Sequence, residues 1–161
     1  MTVIPLEDIS QEAFAPFGAL LVGPQSGSGK VDFRDELENL RVTAQPRLTL
    51  MVAHPGEQPF KPLQMERHVH SSQAFLPLGV ASDYLVLVAP GSDRDRPDVT
   101  RLQAFRVPGH VGINYRPNVW HHPMTTLGQP TRFAVWTFVD GTKDDEEFVP
   151  LPEAITIATQ G

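Results

Sequence analysis

The sequence contains no cysteine, which excludes disulfide bonds, thiolate zinc sites, iron–sulfur clusters and a cysteine nucleophile. Basic residues are also scarce: 13 Lys+Arg stand against 19 Asp+Glu, and the net charge of −6 disfavours binding to nucleic acid or anionic lipid. No apolar run approaches the roughly 18 residues needed to cross a bilayer, and the first ten residues do not resemble a secretory signal. We therefore expect a soluble, cytoplasmic protein with neither nucleic-acid nor membrane partners.

Long helices are disfavoured by 16 prolines and 12 glycines among 161 residues, since an interior proline costs a helix about 3 kcal/mol. These residues separate short runs rich in Val, Leu, Phe and Trp, a pattern typical of strands. We predict a mainly all-β chain that forms one domain over residues 1–161, with frequent turns that favour an antiparallel β-barrel or jelly roll. The predicted strands are Arg47–Ala53, Ala74–Gly79, Tyr84–Ala89, Arg101–Val107 and Arg132–Val139.

One short N-terminal helix is predicted, beginning after Asp8 or Ser10 and running through the sequence QEAF. The glycine-rich segment Gly23–Lys30 departs from the spacing of a phosphate-binding loop, and we interpret it as a surface loop. The acidic run Asp144–Glu147 has no neighbouring ligand pattern and is predicted to be a solvated loop.

The first concentration of chemically active residues is Glu66–Gln73, which contains His68 and His70. If this segment is a strand, both histidines project from the same face, because strand side chains alternate with a period of two. Two imidazoles on one face can share a metal such as zinc, nickel, iron or manganese.

A second concentration is Asn114–Pro123, with His121 and His122 near its end. Neighbouring strand residues point in opposite directions, so only one of these two histidines can join the first pair. Asn118 follows a proline and favours a left-handed turn. Trp120 is open to two interpretations, core packing or contact with a ligand.

A His-x-His strand followed some fifty residues later by a Pro-Asn-Val-Trp-His turn resembles the two halves of a cupin barrel motif. The first half of that motif usually has a glutamate where this chain has Ala74. Within the cupins, the chain more closely resembles the ureidoglycolate lyases, also called ureidoglycolate hydrolases. The matching segments are Phe14–Gly18, Glu66–His68, Gln73–Phe75, Leu102–Phe105 and Gly112–Pro123.

The resemblance implies a cupin-type barrel that cleaves ureidoglycolate to glyoxylate and urea in allantoin breakdown, with amidohydrolase chemistry as a possible variant. Releasing urea requires the substrate hydroxyl to lose a proton and the ureido nitrogen to gain one, and histidine serves both steps near neutral pH. His68, His121 and His122 are the expected acid–base residues. The expected substrate-binding residues are Arg67, Gln73, Asn114, Tyr115, Arg116 and Trp120.

One divalent ion, nickel, zinc or manganese, is expected on His68, His70 and His121, without an organic cofactor. Of the two arginines we favour Arg116 as the clamp on the substrate carboxylate, because Arg67 adjoins His68 and on a regular strand would face away. The resemblance further implies a homodimer.

Two other functions fit the same fold. One is a different metal cupin, an isomerase or a dioxygenase, and the other is a non-catalytic cupin that binds a small molecule.

Overall fold

The computed structural model describes residues 2–152 and 154–158. Within them the chain forms thirteen strands, one short α-helix and two 3₁₀ turns. The strands are β1 Thr2–Asp8, β2 Gly18–Leu21, β3 Gln45–Ala53, β4 Gln64–Arg67, β5 Gln73–Leu78, β6 Tyr84–Ala89, β7 Gln103–Val107, β8 Gly112–Tyr115, β9 Trp120–His121, β10 Thr125–Thr126, β11 Thr131–Val139, β12 Glu147–Pro150 and β13 Ile155–Ala158. The helix, α1, is Gln11–Phe14, and the 3₁₀ turns are Val99–Arg101 and Lys143–Asp145.

The strands form two sheets. The larger has the order β12-β4-β9-β6-β7-β1-β13, with β10 also paired to β6, and the smaller has the order β2-β8-β5-β11-β3. Most neighbours are antiparallel, as predicted, but β1 runs parallel to both β7 and β13. None of the helices in the described ranges is long and apolar enough to cross a membrane.

The main core lies between the two sheets. The larger sheet contributes buried side chains such as Val86 and Phe105, and the smaller sheet contributes Phe75, Ile113 and Phe133. A second apolar cluster lies on the opposite face of the larger sheet and includes Met65, Leu87 and Trp120. This all-β, double-sheet architecture confirms the predicted fold class.

The five predicted strands are all present, with ends that shift by at most two residues. The strands that the sequence did not reveal are short or lack alternating apolar residues, as β2 and β12 illustrate. The proposal of one domain over residues 1–161 stays a prediction, because residues 1, 153 and 159–161 lie outside the described part of the chain.

Two local predictions are confirmed in detail. Ser10 caps the helix, because its hydroxyl accepts a hydrogen bond from the Ala13 amide at 3.1 Å. Asn118 has a φ of 68°, the left-handed conformation expected after Pro117.

The segment Gly23–Lys30 has no regular secondary structure, in agreement with its interpretation as a loop.

The acidic run is more than a solvated loop, so that prediction is wrong. Asp145 forms an ion pair with Arg41 at 2.7 Å and accepts hydrogen bonds from the backbone amides of Asp140 and Gly141. Glu147 begins β12 and binds Arg67. Charge alone could not show this, because both partners lie far away in the sequence.

The Arg67 side chain binds the loop and the strand that flank β4. It donates to both carboxylate oxygens of Asp95 at 2.7 and 2.8 Å, and to Glu147 at 2.7 Å. Asn118 accepts another hydrogen bond at 3.0 Å, and the guanidinium lies 4.3 Å from the centroid of the Trp120 ring. With only 5% of its surface exposed, Arg67 is a structural side chain.

We predict that Arg67→Lys lowers the free energy of unfolding by about 1–2 kcal/mol, because lysine keeps the charge but loses the planar fork and the stacking on Trp120. Urea denaturation measures this loss. The matched control is Arg106→Lys, since Arg106 is more exposed and its Asp8 partner lies 3.9 Å away. Equal stability of the Arg67 variant and the control would contradict the structural role.

Candidate functional site

The inner face of the larger sheet carries a cluster of three titratable side chains, Glu66, His68 and His121. Glu66 lies directly opposite His121 across the β4–β9 pair, and His68 follows Glu66 by two residues, so all three project from one face. Their metal-binding atoms all lie within 4.8 Å of one another. The ring centroids of His68 and His121 are 5.7 Å apart, so the structure brings these two predicted histidines together.

Backbone carbonyls determine which nitrogen of each ring is free. His68 Nδ1 lies 2.9 Å from the Asp145 carbonyl oxygen, and His121 Nδ1 lies 2.9 Å from the Val119 carbonyl oxygen. A carbonyl can only accept, so both Nδ1 atoms carry the proton and a neutral ring has its lone pair on Nε2. Within the described residues His68 Nε2 has no hydrogen-bond partner, while His121 Nε2 lies 3.2 Å from the Glu66 carboxylate.

Burial and neighbouring charge determine the protonation states. Burial lowers the pKa of His68, and the nearby positive charges of His121 and Arg47 lower it further, against the opposing effects of Asp145 and Glu66. His68 is therefore neutral near pH 7. Burial raises the pKa of Glu66, but the hydrogen bond and charge of His121, with the other histidines, outweigh it, so the pKa is lowered and Glu66 is ionised.

The smaller sheet supplies the opposite wall of the site. The Tyr115 ring stacks on the His121 ring, with centroids 4.0 Å apart and an angle of 15° between the planes. Gln73 pairs with Tyr115 in the β5–β8 register, and its Oε1 is buried without a hydrogen-bond partner in the described chain. Of the predicted substrate-binding residues, Gln73 and Tyr115 are therefore beside the cluster.

The other two predicted histidines lie outside the cluster. His70 is in a turn that follows the end of β4, so His68 and His70 do not share a strand face, and that prediction is wrong. His122 packs edge-on against Phe60 in the second apolar cluster, with ring centroids 5.3 Å apart. The expectation that only one histidine of the adjacent pair joins the site is confirmed, and that histidine is His121.

Four predicted substrate-binding residues also face elsewhere. Arg67 and Trp120 pack against each other on the opposite face of the larger sheet. Asn114 alternates with Tyr115, so its side chain leaves the opposite face of β8, where its amide donates to the Glu36 carbonyl at 2.8 Å. Arg116 lines the same surface pocket as Asn114, beside three carboxylates of Asp35, Glu36 and Glu38.

Two residues near the cluster were missed in the sequence. Glu66 stands two positions before His68, so the alternation assigned to His68 and His70 applies one step earlier, to Glu66 and His68. Arg47 belongs to β3, and only its pairing with Thr137 of β11, a strand distant in sequence, places it on the inner face of the smaller sheet. Glu66 could have been found from its i, i+2 spacing with His68, whereas Arg47 could not have been found from any local spacing.

The cluster fits a divalent cation in the chemistry of its donors. A carboxylate and two imidazole nitrogens are ligands that zinc, nickel and manganese accept. Burial supports the fit, because Nε2 of His68 and Nε2 of His121 are both shielded from solvent. In each ring the hydrogen bond to a backbone carbonyl is made by Nδ1, which leaves Nε2 available. The side chains placed to hold such an ion are therefore Glu66, His68 and His121, and His70 lies outside this group.

Comparisons with known proteins agree with this architecture. The crystal structure of a dTDP sugar isomerase from Desulfovibrio desulfuricans G20 superposes with a TM-score of 0.51 at 14% identity, covering 86% of this chain and 83% of that one. At this identity the likeness concerns the fold alone.

Sequence relatives are closer. A curated ureidoglycolate lyase from Burkholderia cepacia is 37% identical over 142 residues, covering 83% of this chain and 78% of that protein. Those from Pseudomonas paraeruginosa PA7 and Escherichia coli E24377A are 34% and 32% identical, with coverage of at least 95% of each chain. The sequence model of the family described as ureidoglycolate lyase matches residues 1–158. The chain belongs to the ureidoglycolate lyase family.

Proposed function

We propose that the protein is a lyase that cleaves ureidoglycolate to glyoxylate and urea, and that Glu66, His68 and His121 form its reacting centre. The observation that carries this proposal is the inward-facing cluster, in which two buried histidines direct their Nε2 atoms into the site beside an ionised carboxylate. It occurs in a chain of the ureidoglycolate lyase family.

The reaction breaks the bond between the substrate's central carbon and its ureido nitrogen. As this bond breaks, the hydroxyl on the same carbon loses its proton and becomes the aldehyde oxygen of glyoxylate. His68 Nε2 is the acceptor of that proton, because the neutral ring has its lone pair there. The ureido nitrogen leaves with the bonding electron pair and takes a proton from Nε2 of His121, which must carry a second proton for this step, beside the Glu66 carboxylate 3.2 Å away.

The same three side chains would hold one divalent cation, nickel, zinc or manganese, through the Glu66 carboxylate and the two Nε2 atoms. A bound ion would acidify the substrate hydroxyl as metals acidify water. His68 and His121 would then serve as ligands instead of proton carriers, while Gln73 and Tyr115 keep their places beside the substrate.

We expect purified protein to form glyoxylate from racemic ureidoglycolate, and His68→Asn and His121→Asn each to lower kcat by 10²–10⁴-fold, the usual contribution of a general acid or base. His110→Asn is the control, since that histidine is exposed and outside the cluster. The assay also measures urea and ammonia, because a lyase releases urea and an amidohydrolase releases ammonia. Full activity in the His68 variant would contradict the proposed centre.

Metal analysis tests the ligand set separately. After chelation and re-equilibration with nickel, zinc or manganese, we expect one bound ion per wild-type chain, loss of the ion in Glu66→Gln, and retention in His70→Asn. Assays before and after chelation show whether the ion is needed for turnover. Retention in Glu66→Gln, or loss in His70→Asn, would contradict the assigned ligands.

We further propose that the outer face of the smaller sheet binds a second copy of the chain. β3 is an edge strand of nine residues, and its outward side chains Leu48, Leu50 and Val52 are 60%, 71% and 49% exposed. With the outward leucines of β5, Leu76 and Leu78, they form a mainly apolar face over β5, β11 and β3, which also includes the exposed Arg132 of β11.

This face is as large as the apolar patches that often serve as interaction sites. β3 and β11 have nine residues each and β5 has six, so at about 3.4 Å per residue and about 4.8 Å between strands the face covers roughly 400 Å². A flat apolar face beside an unpaired edge strand suits a two-fold contact, because the same surface can be used by both copies.

The cytoplasmic location expected from the sequence stays a prediction.

We predict a dimer in sedimentation at micromolar concentration, and a monomer for Leu50→Glu, because a buried carboxylate at the centre of this face would be unpaired. The control is Leu63→Glu, which alters a leucine of similar exposure, 68%, outside the face. A wild-type monomer, or a dimer that survives Leu50→Glu, would contradict the interface.

A further inference from the structure

A row of four side chains crosses the inner face of the smaller sheet next to the cluster. Arg47 pairs with Thr137 in the β3–β11 register, and Gln73 pairs with Tyr115 in the β5–β8 register. Thr137 and Gln73 are the next pair after Trp136 and Ala74 in the β11–β5 register. Directly opposed side chains on neighbouring strands project from the same face, so Arg47, Thr137, Gln73 and Tyr115 form one continuous row.

The middle of this row has unused hydrogen-bonding capacity. Thr137 Oγ1 and Gln73 Oε1 are both shielded from solvent and have no hydrogen-bond partner in the described ranges, although Thr137 is only 2% exposed and Gln73 only 8%. Buried polar atoms of folded proteins nearly always have a partner, so unpartnered ones on a shared face indicate a site for a polar ligand or water.

Arg47 provides a positive charge at one end of the row. It is exposed, and in the described part of the chain it forms no ion pair or side-chain hydrogen bond. The register places it on the same inner face as Tyr115, whose ring stacks on His121 of the cluster. Arg67 differs in this respect, because its donors are occupied by Asp95 and Glu147.

We propose that Arg47 binds the carboxylate of the substrate and that Thr137 and Gln73 bind its ureido group, which makes this row the specificity-determining wall of the site. The inference rests on the proposed function for the identity of the substrate. One part of the inference does not depend on that identity: the site selects small 2-hydroxy carboxylates. The planar guanidinium can donate two parallel hydrogen bonds to a carboxylate, and the free Gln73 oxygen can accept a ureido N–H.

The arrangement also orients the substrate. All three functional groups are attached to one carbon, so in one enantiomer of the substrate, binding the carboxylate at Arg47 and the ureido group at Gln73 directs the hydroxyl to the larger sheet, where His68 Nε2 is free. Neither Arg67 nor Arg116 can orient the substrate in this way, because both lie beyond the opposite faces of their sheets.

Steady-state kinetics of Arg47→Lys and Arg47→Gln test the proposal. Lysine keeps the charge but not the fork, so we expect KM for ureidoglycolate to rise about 10-fold in Arg47→Lys and about 100-fold or more in Arg47→Gln. Melting temperatures should not change, because the Arg47 side chain is exposed and unpaired. The matched control is Arg106→Lys, an arginine on the outer face of β7 in the larger sheet, for which KM should not change.

A binding titration separates this proposal from the proposed function. Calorimetry with glycolate and with neutral glycolamide needs no turnover. We expect wild type to bind glycolate at least 10-fold more tightly than glycolamide, and Arg47→Gln to lose this preference while the control keeps it. If wild type shows the preference without cleaving ureidoglycolate, the proposed function fails and the Arg47 assignment stands. An unchanged preference in Arg47→Gln, or none in wild type, would overturn the assignment.

Discussion

The alternation of side chains along β4 is the constraint on which the site depends. Four residues, Gln64–Arg67, belong to the strand, and successive side chains leave opposite faces. Met65 and Arg67 pack into the second apolar cluster and its ion pairs, while Glu66 and, two residues later, His68 face the space between the sheets. If the register of β4 shifted by one residue, Arg67 would face the space between the sheets, and Glu66 and His68 would face away from it. The ion pairs of Arg67 therefore also hold the orientation of Glu66 and His68.

The two histidines are oriented by the backbone, and this support extends well beyond the cluster. The backbone carbonyl of Asp145 accepts the hydrogen bond from His68. The side-chain carboxylate of Asp145 in turn binds Arg41 at 2.7 Å and accepts hydrogen bonds from two backbone amides, which holds this loop in place. The Tyr115 ring fixes the plane of His121 from the smaller sheet. Because each ring is supported through Nδ1 or its face, both Nε2 atoms remain directed at the site.

The sequence predicted the parts of this structure that follow from local patterns. Short apolar runs bounded by proline and glycine located five strands. A helix start at Asp8 or Ser10 and the left-handed Asn118 were predicted from neighbouring residues. His68 was expected to share a site with one histidine of the pair His121 and His122. The assignments that failed depended on where a strand ends or which face a side chain leaves, as at His70 and Asn114. Arg47 was missed because its place on the inner face of the smaller sheet arises from strand pairing, which no local pattern records.

The most direct test of the account is a crystal structure of the protein with glycolate bound, which shows where a 2-hydroxy carboxylate is held. The account predicts the hydroxyl oxygen within hydrogen-bond distance of His68 Nε2 or on an ion held by Glu66, His68 and His121, with the carboxylate on Arg47. Glycolate bound in the pocket of Asn114 and Arg116, with the cluster side chains free of it, would contradict the account.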